Sequence, residues 1–187
     1  MIICIMGYTC SGKSTLIKPL SKKLNMPIAV SYTSRPKREK EIEGVDYHFV
    51  NNKFFKNNKD QFIEFRDYKV ATGETWYYGY HVNSFENFEN TDYLCIIESK
   101  GYYKLCEYFG KSNIVPIFIS APLKDIYSRL SNRGDNYEEA QRRVKADIND
   151  FSYFLKNEQY YGIDNSNKIS QNKLQNEIFD LITQILK

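Results

Sequence analysis

The sequence predicts an α/β fold built on a mostly parallel sheet. Three observations carry this expectation. Short, continuous apolar runs read as strands buried on both faces, amphipathic stretches of helical period lie between them, and a glycine-rich loop, "GYTCSGKST", joins the first run to the first helix.

The elements follow in order. Ile2–Met6 is an unbroken apolar run ending at Gly7, as a buried parallel strand does. Ser14 to Leu24 carries apolar positions at Leu16, Ile17, Leu20 and Leu24, a helical stripe in which Pro19 predicts a kink or an early stop. "PIAVSYTS" reads as a second short strand, followed by the charged loop "RPKREKEIEGVDY". "NNKFFKNNKDQFIEF" predicts a short helix leading into an apolar segment, and "TGETWYYGY" a turn followed by a strand. "YLCIIES" and "IVPIFISAP" are two more buried-strand runs, the second closed by Ala121-Pro122 ahead of a helix from about Leu123 to Asn132. Gly134 breaks that helix, and Asn136 with Glu139 three residues on predicts a capping box opening the next. A last helix, Asn172 to Leu186, aligns Leu174, Ile178, Leu181, Ile182 and Ile185 on one face.

With 187 residues, 42% of them hydrophobic, the chain is long enough for one sizeable core and short for two full domains. A formal net charge of +3 argues neither for nor against nucleic acid, so only the local placement of arginines informs. Cys4, Cys10, Cys95 and Cys106 form no CxxC pair, and His48 and His81 add no zinc spacing; the thiols read as reduced, in a cytoplasmic protein. The opening apolar run lacks a basic flank and is too short for a signal peptide or a membrane span.

Gly7, Gly12, Lys13 and Ser14 satisfy G-x-x-x-x-G-K-[ST] between a buried strand and a helix start, where the motif has physical meaning. Glycines let successive N–H groups point inward, and the helix N-terminus adds partial positive charge. Lys13 reaches the outer phosphates, and the Ser14 hydroxyl is the expected magnesium ligand. Ser11 and Thr15 complete the expected ATP-binding loop. The motif alone leaves kinase, hydrolase and GTPase open.

A second stretch, "SYTSRPKREKEIEGVDYHFV", supplies two guanidiniums at Arg35 and Arg38 with hydroxyls at Ser31 and Tyr47, the donors that clamp a phosphate monoester. A clamp separate from the phosphate loop implies an acceptor. From residue types alone, a solvated basic loop or a nucleic-acid patch is an equal alternative.

The order Ser31, Arg35, Arg38, Glu41, Gly44, Asp46-Tyr47, Phe49-Val50 resembles the acceptor-binding segment of the guanylate kinase family. The resemblance continues through "FIEF", "YYG", "SRLSNRG" and "RRV", over most of the chain. It implies the P-loop NTPase three-layer core of nucleoside monophosphate kinases, with a mostly parallel sheet, an acceptor-binding flap and a helical lid. On that division one domain spans 1–187, with core 1–30, 91–125 and 159–187, flap about 31–90, and lid about 126–158. The resemblance assigns the acceptor's phosphate to Ser31, Arg35, Arg38, Tyr47 and Tyr78, with Glu41 placing the arginines. It assigns guanine's N–H edge to Glu64, and the donor nucleotide's neighbourhood to Asn165.

Guanine presents donors at N1 and N2 beside an acceptor at O6, so a carboxylate and a hydroxyl together read it. The family usually has Ser or Thr after "YYG" for O6; here Tyr80 stands there, its hydroxyl several ångströms further out by the length of a phenol ring. The segment "FRDYKVATGETWYY" is also longer than in typical members. Where the family shows Asp-x-Asp, this chain has Ile96 and Glu98, leaving one acid at the strand's end to meet the acceptor or a magnesium-bound water. Arg129 and Arg133 lie one turn apart, and Arg143 follows on the next helix. The three are expected to converge as the catalytic cations of the lid, alongside Lys13.

The expected activity is transfer of phosphate from ATP, with Mg²⁺, to GMP or dGMP. One alternative keeps the fold with another nucleotide or a ribose bisphosphate as acceptor, and another is a non-catalytic interaction module. Expected partners are small-molecule nucleotides, with neither nucleic acid nor membrane, for a monomer or homodimer.

Overall fold

The computed structural model describes residues 1–69 and 73–187. Its elements are β1 (Ile2–Met6), α1 (Lys13–Leu24), β2 (Tyr32–Thr33), β3 (His48–Phe49), α2 (Asn52–Asn57), β4 (Phe62–Lys69), β5 (Thr75–His81), β6 (Tyr93–Ile96), α3 (Ser99–Phe109), β7 (Ile114–Ser120), α4 (Leu123–Asn132), α5 (Tyr137–Asn157), β8 (Tyr161–Asp164) and α6 (Gln171–Ile185).

The core sheet is ordered β6-β1-β7-β8 and is parallel throughout. Both faces of β1 are buried because its side chains alternate between two apolar layers. Ile3 and Ile5 pack with Leu16, Leu20, Ile178 and Ile182 of α1 and α6. Ile2, Cys4 and Met6 face Tyr102, Leu105, Phe151 and Phe154 of α3 and α5. The hairpin of α4 and α5 carries a small core of its own, Ile126, Leu130, Ala140 and Val144.

A second sheet, β3-β2-β5-β4, holds the chain between α1 and β6. Here β2 pairs β3 in parallel but β5 antiparallel, and β4 and β5 form an antiparallel ribbon. The expected mostly parallel sheet is the core sheet, and the second sheet is mixed. Phe55 of α2 covers the outer face of the ribbon by packing on Phe62, Phe65 and Tyr77. The opposite face carries Glu64, Arg66, Tyr78 and Tyr80, since Glu64 pairs with Tyr80 and Arg66 with Tyr78. The segment expected to be longer than in typical members runs through residues 70–72, which lie outside the described residues.

Four local expectations are corrected. Pro19 neither stops nor shortens α1, which runs on to Leu24. Pro19 and Thr15 are both on the exposed side, so the Thr15 carbonyl that loses its helical partner faces water. "PIAVSYTS" forms only the two-residue β2 and an isolated bridge from Ile28 to Leu94. The sequence reading also omits α3 and the short edge strand β8.

The break at Gly134 is a Schellman turn: φ at Gly134 is 82°, its N–H donates to the Ser131 carbonyl, and Asp135 N–H reaches back to Leu130. The following helix forms one arm of the expected capping box, the Asn136 side chain accepting from Glu139 N–H, while the Glu139 carboxylate accepts from Arg142 and Arg143.

Gly79 is the tightest point of the second sheet. A Cβ there would lie 2.4 Å from the Glu64 carbonyl oxygen and 2.5 Å from Phe65 Cβ. Gly79→Ala is expected to lower stability by about 1–3 kcal/mol, as overpacking does, read as a lower urea midpoint.

Candidate functional site

The phosphate loop is shaped by backbone that only glycine adopts easily: φ is 143° at Gly7 and 101° at Gly12. Gly7 also sits so close to β7 that a Cβ would lie 2.3 Å from the Ile119 carbonyl oxygen. Lys13 curls over the loop and donates to the carbonyls of Gly7 and Tyr8, both at 2.7 Å. Burial lowers its pKa to about 8, against the raising influence of Asp147 and Cys10. Ser14 and Thr15 are exposed on the first turn of α1, a turn that holds no acid.

Two residues expected to touch ATP have buried side chains. Ser11 is fully buried, and its hydroxyl has no hydrogen-bond partner among the described residues. Asn165 is 1% exposed and donates from Nδ2 to the Ser11 carbonyl at 2.7 Å, bracing the loop from behind.

Asp147 is a participant that the sequence reading missed. From α5 it accepts from Thr9 N–H at 2.5 Å, tying that helix to the phosphate loop. Burial raises its pKa, opposed by the Thr9 N–H and Lys13.

The arginine clamp is built around Glu41. Arg35 is 5% exposed and donates from Nη2 to Glu41 Oε1 at 2.6 Å, while Arg38 N–H donates to Oε2 at 2.8 Å. The guanidinium of Arg35 lies 5.5 Å from the Tyr47 ring centroid, and Tyr47 meets Tyr78 edge-on at 6.0 Å. Arg35, Tyr47 and Tyr78 thus stand together, with Ser31 at the entry to β2. Lys18 of α1 anchors the same loop through Asp46 at 2.7 Å.

Arg38 turns outward to a cleft of about 400 Å³ that it lines with Arg133, Asp135, Asn136, Glu139 and Arg143. Arg133 holds the Asp135 carboxyl below its usual pKa, with smaller contributions from Arg143 and Arg38. Glu139 is drawn down to about 2 by Arg142 and then Arg143. Guanidiniums from the loop after β2, the end of α4 and the start of α5 therefore line one cleft.

Arg129 does not join them, which corrects the expected convergence of three lid arginines. It donates to the carbonyls of Cys10 at 3.2 Å and Asn165 at 2.6 Å, so it fastens α4 to the phosphate loop. Arg133 caps the helix at the Schellman turn, and its guanidinium turns to Asp135 instead.

Glu64 is buried on the inner face of the β4–β5 ribbon. Desolvation raises its pKa, offset in part by Arg66 and by the Tyr80 backbone N–H. A Cβ on Gly101 in the first turn of α3 would lie 3.3 Å from Glu64 Cδ, so the carboxyl rests on that helix end. Glu98 caps the same helix without a side-chain bond to it; its carboxylate pairs with Arg66 and lies 3.2 Å from the Tyr68 hydroxyl.

Tyr80 is a second correction. It is 4% exposed, and its hydroxyl donates to the Ile96 carbonyl at 2.9 Å. The phenol is long enough to cross from the second sheet to β6, so its oxygen ends in the core rather than at an acceptor.

A strand–loop–helix phosphate site, a separate arginine clamp and a helical hairpin bearing further arginines define a P-loop phosphotransferase of the nucleotide kinase class. A family model described as "Guanylate kinase" matches residues 1–181, and the chain belongs to that family. It is 31% identical to guanylate kinase of Wigglesworthia glossinidia brevipalpis, over 100% of this chain and 96% of that one. It is 34% identical to guanylate kinase of Bartonella henselae over 69% of this chain, a match that spans 58% of the Bartonella protein. The crystal structure of guanylate kinase from Anaplasma phagocytophilum superposes with a TM-score of 0.67 at 25% identity, covering 98% of this chain and 85% of that one.

The lowered pKa of Lys13 sets a measurable consequence. Phosphates beside the ammonium favour its charged form, so ATP binding at pH 8 should draw about half a proton from solution, the fraction missing when pH equals pKa. Calorimetry in buffers of different ionisation enthalpy measures this uptake. It should vanish in Lys13→Met.

Proposed function

We propose that the chain transfers the terminal phosphoryl group of ATP to GMP or dGMP, giving ADP and the nucleoside diphosphate. The observation that carries this reading is the separation of two phosphate-binding devices in one member of the guanylate kinase family. The loop at Gly7–Thr15 suits the donor, and the Arg35, Arg38 and Tyr47 clamp suits the acceptor.

The attacking group is already an anionic phosphate oxygen, so no side chain has to remove a proton. Lys13 exchanges its bonds to the Gly7 and Tyr8 carbonyls for phosphate oxygens of ATP. Arg35, fixed by Glu41, holds the acceptor's phosphate, and Arg38 extends the same cationic surface into the cleft. Arg133 and Arg143 neutralise charge on the moving group, and closure of the lid keeps out the water that would otherwise take it. Arg129 and Asn165 act one step back, by holding the loop's carbonyls and so its N–H groups in place.

The residues present fit magnesium. Ser14 offers a solvent-exposed hydroxyl oxygen at the first turn of α1, and a hard cation takes such oxygens together with phosphate and water. When bound, magnesium would offset the charge on the outer phosphates.

A coupled ADP-release assay with ATP and Mg²⁺ against GMP, dGMP, AMP, CMP, UMP, dTMP and ribose bisphosphate tests the reading, with Lys13→Ala as an inactive control. GMP and dGMP should dominate the panel. Tyr80, whose hydroxyl is spent on Ile96, favours the alternative of another acceptor, and a preference elsewhere in the panel would establish it. Arg35→Ala should raise KM for the acceptor by at least about tenfold, the loss of one charge-assisted bond of 1.5–3 kcal/mol, with little change for ATP. An equal effect on both substrates would remove Arg35 from the acceptor site.

Glu64 makes a second prediction. A carboxylate accepts from guanine's N–H groups, and a carboxyl is a poorer partner. Because its pKa is raised by burial, KM for GMP should climb on acidification at a higher pH than an ordinary glutamate near 4.5 allows. Glu64→Gln should raise KM at neutral pH and flatten that acid limb.

A further inference from the structure

Guanine's O6 needs a donor beside the carboxylate that takes N1–H and N2–H. The hydroxyl the family usually places after "YYG" is replaced by Tyr80, which delivers its oxygen to the Ile96 carbonyl instead. The inner face of the ribbon supplies another donor. Arg66 shares that face with Glu64, one pleat along β4, and its Nε lies 4.0 Å from Glu64 Oε2. Its Nη1 donates to the Glu98 carboxylate. A guanidinium carries five N–H donors in a plane, and among the described residues nothing accepts from Nη2. Arg66 and Glu64 together line a recess of about 550 Å³ between β4 and α3. The lysines on the α3 side of that recess are engaged elsewhere, Lys100 with Asp150 and Lys104 with Glu107.

We propose that Arg66 is a specificity-determining residue that reads the O6 side of the acceptor's base, in place of the missing hydroxyl. This rests on GMP being the acceptor. Arginine suits the task because its fork matches the O6 and N7 acceptors of guanine, a pairing worth about 1–3 kcal/mol of discrimination against the wrong base. Glu64 accepts from N1–H and N2–H, and Glu98 holds the guanidinium in plane from its other end. Adenine presents an amino donor where guanine has O6, so the same guanidinium opposes AMP. The charge of Arg66 also offsets the repulsion between Glu64 and Glu98, a bracing role that the test has to separate from base reading.

The experiment compares kcat/KM for GMP, 6-thio-GMP and AMP in wild type, Arg66→Ala and Arg66→Lys. Sulfur at position 6 accepts hydrogen bonds weakly while the N–H edge is kept, so 6-thio-GMP isolates the proposed contact. Wild type should prefer GMP over 6-thio-GMP, and Arg66→Ala should reduce that preference at least about fivefold, the equivalent of 1 kcal/mol. The margin over AMP should shrink in the same variant, and KM for ATP should hold. Arg66→Lys, which keeps the charge beside both carboxylates, should restore the thermal stability lost in the alanine variant but only part of the preference. Losses in proportion for GMP and 6-thio-GMP, with Lys restoring both, would make Arg66 a brace and overturn the proposal. Wild type that ignores GMP and takes another acceptor would overturn the acceptor reading first, and this proposal with it.

Discussion

The structure depends on one backbone constraint, the turn that carries β1 into α1 while pointing N–H groups at a single spot. A parallel strand and the helix after it run in opposite directions, and only a loop passing through positive φ joins them so tightly. Gly7 and Gly12 supply those conformations, and the Ile119 carbonyl pressing on Gly7 leaves no room for a side chain. Everything that touches the loop respects it. Asn165 and Arg129 bond its carbonyls from behind, Lys13 bonds them from above, and Asp147 takes the Thr9 N–H.

A second regularity is electrostatic. Cationic groups assigned to phosphate are held in this structure by acids: Arg35 by Glu41, and Arg133 and Arg143 by Asp135 and Glu139. The pairs of Arg133 and Arg143 are not stability devices of much weight, since exposed ion pairs contribute little. Their value is positional. A guanidinium already oriented by a carboxylate loses less side-chain freedom when a phosphate arrives, and the carboxylates have pKa values low enough to stay charged in neutral solution.

Much of this was legible in the residues. The phosphate loop, the apolar core strands β1, β6 and β7, α4 and the Asn136 cap follow from local rules that tertiary structure had no reason to override. What escaped is equally physical. "SKGYYKLCEYF" mixes tyrosines and lysines, so its helical stripe is hard to see until Tyr102 and Leu105 are found buried against the sheet. The "YGID" strand is four residues with one buried side chain, too short to show a period. Arg129 and Arg133 share a helical face by spacing, yet the Schellman turn at Gly134 gives Arg133 a different partner. Contacts between distant segments, Asp147 with Thr9 or Arg66 with Glu98, have no signature within either segment.

The departures at positions 80 and 96 meet at one hydrogen bond. A long side chain at position 80 puts its hydroxyl into the core, and it does so by bonding the carbonyl of Ile96, the residue standing where an acid is usual. The Ile96 side chain itself points to the other face of the core sheet, in the layer of Ile5 and Leu94, while Tyr80 lies with Cys4 and Cys95. Strand alternation therefore separates the two side chains, and residues 80 and 96 meet only through a backbone carbonyl that any side chain at 96 would leave in place. The departure at 80 is thus a matter of reach and the one at 96 a matter of which face of β6 the side chain occupies, and on the inner face of the ribbon the polar groups are Glu64 and Arg66, with Glu98 pairing the guanidinium.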